Sequence, residues 1–259
     1  MRIHKAWYGP KGGHALLHYT DPSLHGVFRQ AAWLTDLPGT APAGLAWAPY
    51  FRTGIQQDYF VLVHTRPSHA SDRACMVDSV AAFVPLNELA QVPDMRALAA
   101  NVRESHESQP QEPFDATEIA REPAGSPQPM LLSIADALIA AAARPVVHVG
   151  QEGFDDVMLD LLQLVPPQLR RQVLFSLSFA PGEPGEPFAV AAPRELASRF
   201  AQAQVLKPSE TSPTTRVAAL LNMPEGRPLL ETGEQAGFDL QSPGAPAPLD
   251  RALEPSPAH

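Results

Sequence analysis

A cysteine with histidines and aspartates nearby is the set of residues in this sequence best suited to covalent catalysis. Cys75 has the chemistry of a nucleophile, with His64 or His69 as its base and Asp78 or Asp72 as the acid that orients the histidine. The surrounding residues, RACMVDSV, instead indicate the start of a buried strand, where a free cysteine usually serves as a small apolar side chain. A cysteine- or histidine-dependent hydrolase or transferase is therefore kept as an alternative function only.

A glycine-rich stretch near the N-terminus, YGPKGGHALL, is a second candidate site. Lys11, Gly12, Gly13 and His14 have the residue types of a phosphate-binding loop, so a small nucleotide sensor at residues 9–14 is another alternative function. The stretch lacks the spacing and the hydroxyl of a Walker loop, and it lacks the Gly-x-Gly-x-x-Gly turn of a dinucleotide fold. The flanking runs IHKAWYG and HALLHYT have hairpin spacing, so the sequence favours a structural turn.

The other chemistry-bearing residues lack the patterns of a metal or hydrolase site. Histidines are frequent in the first 70 residues, but no His-Glu-x-x-His pattern accompanies them, so we expect neither a metal nor a cofactor. The serines of FSLSFA do not form the Gly-x-Ser-x-Gly elbow of a hydrolase. Asp155 and Asp156 open a predicted helix, FDDVMLDLLQLV, where acidic residues favour the helix N-terminus.

Composition and charge exclude several classes of protein. The formal net charge is −9, with 28 acidic against 19 basic residues, so we expect no binding to nucleic acid. The longest apolar runs fall far short of a membrane span, and MRIHKAWYG lacks the pattern of a signal peptide. With its single cysteine the chain forms no internal disulfide, and we expect it to be cytoplasmic.

Proline-rich segments divide the chain into parts. There are 29 prolines in 259 residues, and the segments that contain many of them cannot form a continuous helix or an inner strand, because proline lacks a backbone N–H. The sequence predicts a sheet-rich N-terminal lobe over 1–103, a flexible linker over 104–129, an α/β lobe over 130–223 and a disordered Pro-rich tail over 224–259. The predicted fold class is therefore α+β, with two lobes.

Hydrophobic patterning predicts the main elements of each lobe. In the first lobe the strands are the two runs around PKGG, then YFVLVHT and ACMVDSVAAFVPL, and the helix is PDMRALAANVRE. In the second lobe the helices are PMLLSIADALIAAAAR, FDDVMLDLLQLV and PRELASRFAQA, and the strands are PVVHVG, QVLFSLSFA and FAVAA. Sheet dominates the first lobe, and strand alternates with helix in the second.

The order of short patterns along the first lobe resembles a known family. WYGPKGGHALL is similar to the opening of the N-terminal domain of the bacterial GTPase-associated proteins, which occur in multi-component conflict (anti-phage) systems. The resemblance continues through WLTDLPG, PYF, YFVLVHTRP and SDRACMVDSVAAFVPLNELAQVPDMRAL, and it reaches LRRQVLFSLSFAP in the second lobe. No single pattern identifies the family; their order does.

The resemblance implies a partner-binding component and not an enzyme. It implies a non-enzymatic adaptor or scaffold that works with a GTPase, or with another NTPase or effector protein, of the same system. Aromatic residues are the usual anchors of protein interfaces, so we predict five interface residues from the aromatic-rich segments. These are Trp7, Tyr8, Trp47, Tyr50 and Phe51.

Overall fold

The computed structural model describes residues 1–68, 76–108, 112–115, 130–131, 133–134, 145–165, 167–182, 188–201 and 203–206. His69, Asp72 and Cys75 lie outside the described residues, as do the predicted tail 224–259 and most of the predicted linker.

An antiparallel sheet forms the N-terminal part of the fold. Its order is β2-β1-β5-β4-β3, and a short strand, β6, pairs with the beginning of β1. The strands are β1 (Arg2–Pro10), β2 (His14–Tyr19), β3 (Tyr50–Gln56), β4 (Tyr59–Pro67), β5 (Val77–Pro85) and β6 (Phe114–Asp115). The predicted hairpin around PKGG is the β1–β2 pair, and Gly12 in its turn has φ +73°, which glycine adopts without a steric cost.

Helices cover both faces of this sheet. Residues on one face pack with Phe28 and Leu34 of two short helices, and those on the other face pack with Met95 and Leu98 of a longer one. Coverage on both faces explains why YFVLVHT and VAAFV are continuous apolar runs instead of alternating ones. The helices are α1 (His25–Gln30), α2 (Ala32–Thr35) and α3 (Met95–Glu104), with 3₁₀ helices at Pro22–Leu24 and Leu89–Gln91.

Helix α3 starts where the sequence predicts because Asp94 caps it. The Asp94 carboxylate accepts hydrogen bonds from the backbone N–H groups of Arg96 (2.8 Å) and Ala97 (3.0 Å). These N–H groups have no acceptor within the helix, so the Asp94 carboxylate satisfies two donors that would otherwise lack a hydrogen bond. Apolar residues at helical spacing then turn one face of α3 toward the sheet.

A parallel sheet forms the second part of the described fold. Its order is β10-β7-β9-β8, with every described pair parallel. The elements are β7 (Val146–Val149), α4 (Phe154–Leu164), a 3₁₀ helix (Pro167–Gln172), β8 (Phe175–Leu177), β9 (Ala189–Ala192), a 3₁₀ helix (Arg194–Phe200) and β10 (Gln204–Val205). PRELASRFAQA, predicted as a helix from its pattern, forms the second of these 3₁₀ helices.

One threonine joins the two sheets at their edges. The hydroxyl of Thr53, on edge strand β3, donates to the carbonyl of Val173 (3.0 Å) and accepts from the backbone N–H of Phe175 (2.9 Å) at the edge strand β8. The two hydrogen bonds of this buried hydroxyl connect β3 and β8, which do not pair through their backbones. A single apolar cluster contains residues of both sheets, although the boundaries of the predicted lobes stay a prediction.

Substituting Gly54 by alanine is expected to destabilise the fold. A Cβ at Gly54 would clash with the Cδ2 of Leu34, a buried residue of helix α2. We expect Gly54→Ala to lower the free energy of unfolding by about 1–3 kcal/mol, because the core must shift to admit a methyl group. Gly26→Ala is the control, since a Cβ there meets nothing within 4 Å. Urea denaturation of both variants checks the prediction, and equal midpoints would contradict it.

The described fold is a mixture of helix and strand with a sheet-rich N-terminal region, as the sequence predicts. Within the described part of the chain, the helices are all too short or too polar to cross a lipid bilayer.

Candidate functional site

The carboxyl ends of the parallel strands open into a cleft of about 450 Å³. In the sheet order β10-β7-β9-β8, the connection from β7 through α4 crosses over β9 to reach β8. The connection from β9 runs the other way and crosses over β7 to reach β10. Crossovers of this kind are right-handed in nearly all proteins, so these two connections depart to opposite faces of the sheet. A crevice forms at the carboxyl ends of two adjacent strands whose connections leave toward opposite faces, and it is the usual ligand site of open α/β sheets. We call it the switch-point cleft.

A loop of the N-terminal region forms the opposite wall of the switch-point cleft. Residues 46–50 lie against the segment that follows β7 and are held there by the side chain of Gln151. The Gln151 amide accepts from the backbone N–H of Ala48 (3.0 Å) and donates to the Ala48 carbonyl (3.1 Å). The rings of Trp47 and Tyr50 meet edge to face at 5.8 Å, and both line the cleft. Aromatic surface is thereby fixed beside the strand ends.

Asp155 lies in the first turn of α4 and lines the same cleft. One of its carboxylate oxygens accepts a hydrogen bond from the backbone N–H of Phe51 (2.9 Å), which attaches α4 to the start of β3. Within the described residues, its other oxygen has no hydrogen-bond partner. The pKa of Asp155 is raised to about 7, chiefly by burial and to a lesser extent by the nearby Asp156. The hydrogen bond from Phe51 and the charge of Arg103 act in the opposite direction.

The rim of the switch-point cleft carries charged residues. Arg194 forms an ion pair with Glu152 (3.1 Å), and Glu195 follows it on the exposed 3₁₀ helix. A hydrogen bond from its own backbone N–H lowers the pKa of Glu152, and the charge of Arg194 acts in the same direction. Among the described lining residues the acids thus outnumber the single cation.

The alternative catalytic set is only partly described. His64 is buried on β4, where its ring contacts those of Phe51 (4.7 Å) and His106 (4.9 Å). The pKa of His64 is lowered to about 3, chiefly by burial and in part by His106 and nearby arginines. The register places Asp78 opposite Arg66, and no hydrogen bond or ion pair joins Asp78 to His64 in the described part of the chain. Their partner Cys75 lies outside it.

The glycine-rich candidate is the turn of the β1–β2 hairpin. Lys11 and Gly12 are exposed, and Gly13 and His14 are half-buried. The His14 ring stacks on Tyr8, and its Nε2 lies 2.9 Å from the Thr35 hydroxyl, so this side chain holds the hairpin against α2. Burial lowers the pKa of His14.

Four of the five predicted interface aromatics point into the fold. Trp7, Tyr8, Tyr50 and Phe51 have at most 5% of their surface exposed, whereas Trp47 is half-buried in the wall of the switch-point cleft. An aromatic residue in a strand covered on both faces packs in the core, which explains the burial. Their role as interface residues stays a prediction.

A second cavity, of about 800 Å³, lies where α3 ends beside β1 and β6. Its buried member, Lys5, donates from Nζ to the Ser105 hydroxyl (2.9 Å) and lies 5.2 Å from the centre of the Phe114 ring. Burial lowers the pKa of Lys5 to about 8, partly offset by Glu104. This arrangement explains how an amine is accommodated in the core, and we assign it a structural role.

The sequence patterns identified Trp47 and Tyr50 of the switch-point cleft but missed its other lining residues. Gln151, Asp155 and Arg194 are far from Trp47 in sequence, and Asp155 was interpreted only as favouring its helix. The available signal was the loop GQEG between a buried strand and a helix, because such loops lie at the carboxyl edge of a parallel sheet.

Comparison with known proteins places the N-terminal part of the chain. Among curated proteins none matches the sequence. A family model does match, over residues 2–102, which comprise strands β1 to β5 and nearly all of α3. The match confirms the resemblance expected from WYGPKGGHALL and the patterns that follow it. Residues 2–102 of this chain match the family model described as GTPase-associated protein 1, N-terminal domain type 1.

Proposed function

We propose that this chain is a non-enzymatic adaptor of a bacterial GTPase-associated conflict (anti-phage) system, acting in the cytoplasm. Its partner is a GTPase, or another NTPase or effector protein, of the same system. The observation that carries the proposal is the match of residues 2–102 to the N-terminal domain of GTPase-associated protein 1, since this family fits a component of a GTPase-associated system.

The state of two candidate residues supports an adaptor over an enzyme. A histidine whose pKa is about 3, as for His64, is a weak base at neutral pH and accepts a proton poorly from a nucleophile. His14 makes its contacts within the fold, to Tyr8 and Thr35. Both histidines thus have a structural explanation that requires no substrate.

The switch-point cleft supplies a surface suited to a partner. Trp47 is half-buried there and remains open to the cleft, and tryptophan is enriched among residues that dominate binding energy. Trp33 is a matched comparison, because its side chain is 42% exposed but packs on Arg52 at the other face of the antiparallel sheet.

Affinity purification of the tagged chain from its native host tests the proposal. The purification is done with and without a non-hydrolysable GTP analogue, and co-eluting proteins are identified by mass spectrometry. We expect a GTPase or another NTPase to co-elute with the wild-type chain, and Trp47→Ala to recover at least about fivefold less of it, corresponding to about 1 kcal/mol of binding energy.

Trp33→Ala is the control variant and is expected to recover as much partner as the wild type. Recovery of no NTPase in either nucleotide condition, from cells that contain the neighbouring genes, would overturn the adaptor proposal. Equal recovery by all three chains would instead show that the partner binds elsewhere than at Trp47.

A further inference from the structure

The switch-point cleft has a combination of features that neither the family match nor the proposed adaptor role explains. Its volume of about 450 Å³ falls within the range of small-molecule sites. It lies at the carboxyl ends of diverging parallel strands, and its opposite wall is held by the paired hydrogen bonds between Gln151 and Ala48. A cleft with both walls fixed is a preorganised site, which reduces the entropic cost of binding.

The charge of the lining favours a cation. Glu152, Asp155 and Glu195 line the cleft against the single cation Arg194, counted over its described residues. Arg194 is paired with Glu152, and that pair is largely neutral as a unit, so Glu195, and Asp155 above its pKa of about 7, have no cationic partner among the lining residues. An anion such as a phosphate would meet net repulsion here, whereas a positive group would be attracted.

The aromatic wall also suits a cation. The indole of Trp47 presents the aromatic surface that attracts ammonium and guanidinium groups most strongly, and Tyr50 supports it at 5.8 Å. Carboxylates combined with tryptophan surface are the typical surroundings of bound organic cations. A simple metal ion would find few ligands, because no group of three or more histidine, cysteine or acidic side chains converges within the described residues.

A free acceptor completes the set. One oxygen of Asp155 is occupied by the Phe51 N–H, and the other has no hydrogen-bond partner in the described part of the chain although the residue lines the cleft. This oxygen is not one of the buried side-chain atoms that lack a partner, so it is open to the cleft and a donor that enters the cleft can reach it. A ligand that donates an N–H to this oxygen would satisfy it.

We propose that the switch-point cleft binds an organic cation, an alkylammonium or guanidinium group, which contacts the indole of Trp47 and donates a hydrogen bond to Asp155. Such a group is supplied either by a free amine or by an arginine or lysine side chain of another protein. This proposal does not depend on the adaptor role, because it concerns binding by the isolated chain.

Isothermal titration of the purified full-length chain at pH 8 tests the proposal with three probes. Agmatine represents the free amines, N-acetyl-arginine amide represents a protein side chain, and N-acetyl-citrulline amide is the uncharged control. We expect at least one cation to bind with a Kd of about 0.1–1 mM, as for small ligands of this size, and citrulline amide to bind at least about tenfold more weakly. Tighter binding of agmatine indicates a free amine, and tighter binding of the arginine derivative indicates a side chain.

Variants locate the binding. Trp47→Ala is expected to weaken binding about tenfold, and Trp33→Ala, outside the cleft, to leave it unchanged. Glu195→Lys, at an exposed position, reverses a rim charge without touching the core and is expected to weaken binding several-fold. No binding of either cation at about 10 mM, ten times the upper Kd, would overturn the proposal, as would binding that citrulline amide matches or that neither cleft variant weakens.

The pH dependence of cation affinity distinguishes direct contact with Asp155 from a merely structural role of this residue. A bound cation favours the carboxylate, so affinity is expected to rise with pH through about 7, the pKa of Asp155 in the free protein, and then to level off. The charges that act on this carboxyl are Asp156 on α4 and Arg103 on α3, and the pair of Arg194 and Glu152 lines the same cleft. Asp155→Asn is expected to remove the rise. An affinity that is independent of pH in the wild type would contradict the assigned contact.

Discussion

Replacing Arg170 by methionine is expected to lower the free energy of unfolding by about 3–5 kcal/mol, because several buried carbonyls lose a charged donor at once. Arg170 is 4% exposed, and its guanidinium donates to the carbonyls of Leu162 (3.0 Å), Val92 (2.8 Å) and Leu89 (3.3 Å). The first carbonyl belongs to α4 and the other two to the 3₁₀ segment before α3. One side chain therefore joins the two parts of the chain.

Arg171→Met is the matched control, since this neighbouring arginine is exposed. We expect it to change stability by no more than about 0.5 kcal/mol. Guanidinium denaturation followed by tryptophan fluorescence measures both variants, and Arg170→Lys is expected to fall between them because an ammonium cannot reproduce the guanidinium fork. The same midpoint for Arg170→Met and Arg171→Met would contradict the role given to Arg170.

Asp155→Asn is expected to change how stability depends on pH. In the unfolded chain this carboxyl ionises near pH 4, whereas in the folded chain its pKa is about 7, so the folded state binds more protons between these values. Stability contributed by the neutral carboxyl is thus fully present below about pH 4 and is lost as pH rises through about 7. Asparagine keeps an acceptor for the Phe51 N–H but does not titrate, and it removes this loss.

The measurement is urea denaturation of both proteins from pH 4 to pH 8. The stability of Asp155→Asn relative to the wild type is expected to rise across this interval by an amount on the order of 3–4 kcal/mol. His64, whose pKa is lowered, contributes the opposite slope, but it is present in both proteins and cancels in the difference. Asp156→Asn, an exposed neighbour in the same turn, is the control, and curves for Asp155→Asn that run parallel to the wild type would refute the prediction.

Local signals predicted most of the elements of the described fold. The PKGG hairpin, strand YFVLVHT and helix PDMRALAANVRE follow from turn glycines, β-branched and aromatic residues, and a capping aspartate. Strand β3 was not predicted, because YFRTGIQ lacks the apolar pattern of a strand. Its polar residues and its glycine fit the sheet only through tertiary contacts. Gly54 leaves room for Leu34, and Thr53 reaches β8, so both choices depend on contacts distant in sequence.

The candidate site was less predictable than the elements that form it. Trp47 was selected for its residue type alone, and the structure gives it a place in the cleft wall. Asp155 has the sequence context of an ordinary helix-start acid, and only its burial against Phe51 distinguishes it from the exposed Asp156. Burial depends on the packing of α4 on the N-terminal sheet, which no local pattern encodes.

The sequence by itself determined the composition class, most strands, helices α3 and α4, the β1–β2 hairpin and the resemblance of residues 2–102 to the GTPase-associated family. These properties depend on local backbone preferences and on the order of short patterns, which are readable along the chain. The tertiary structure alone decided the strand order β10-β7-β9-β8, the Thr53 junction and the cleft that brings Trp47 to Asp155. The physical reason is that each of these requires elements that are separate in sequence to meet, with Thr53 and Val173 as many as 120 positions apart. The free energy that holds them together comes from apolar burial shared by the whole core.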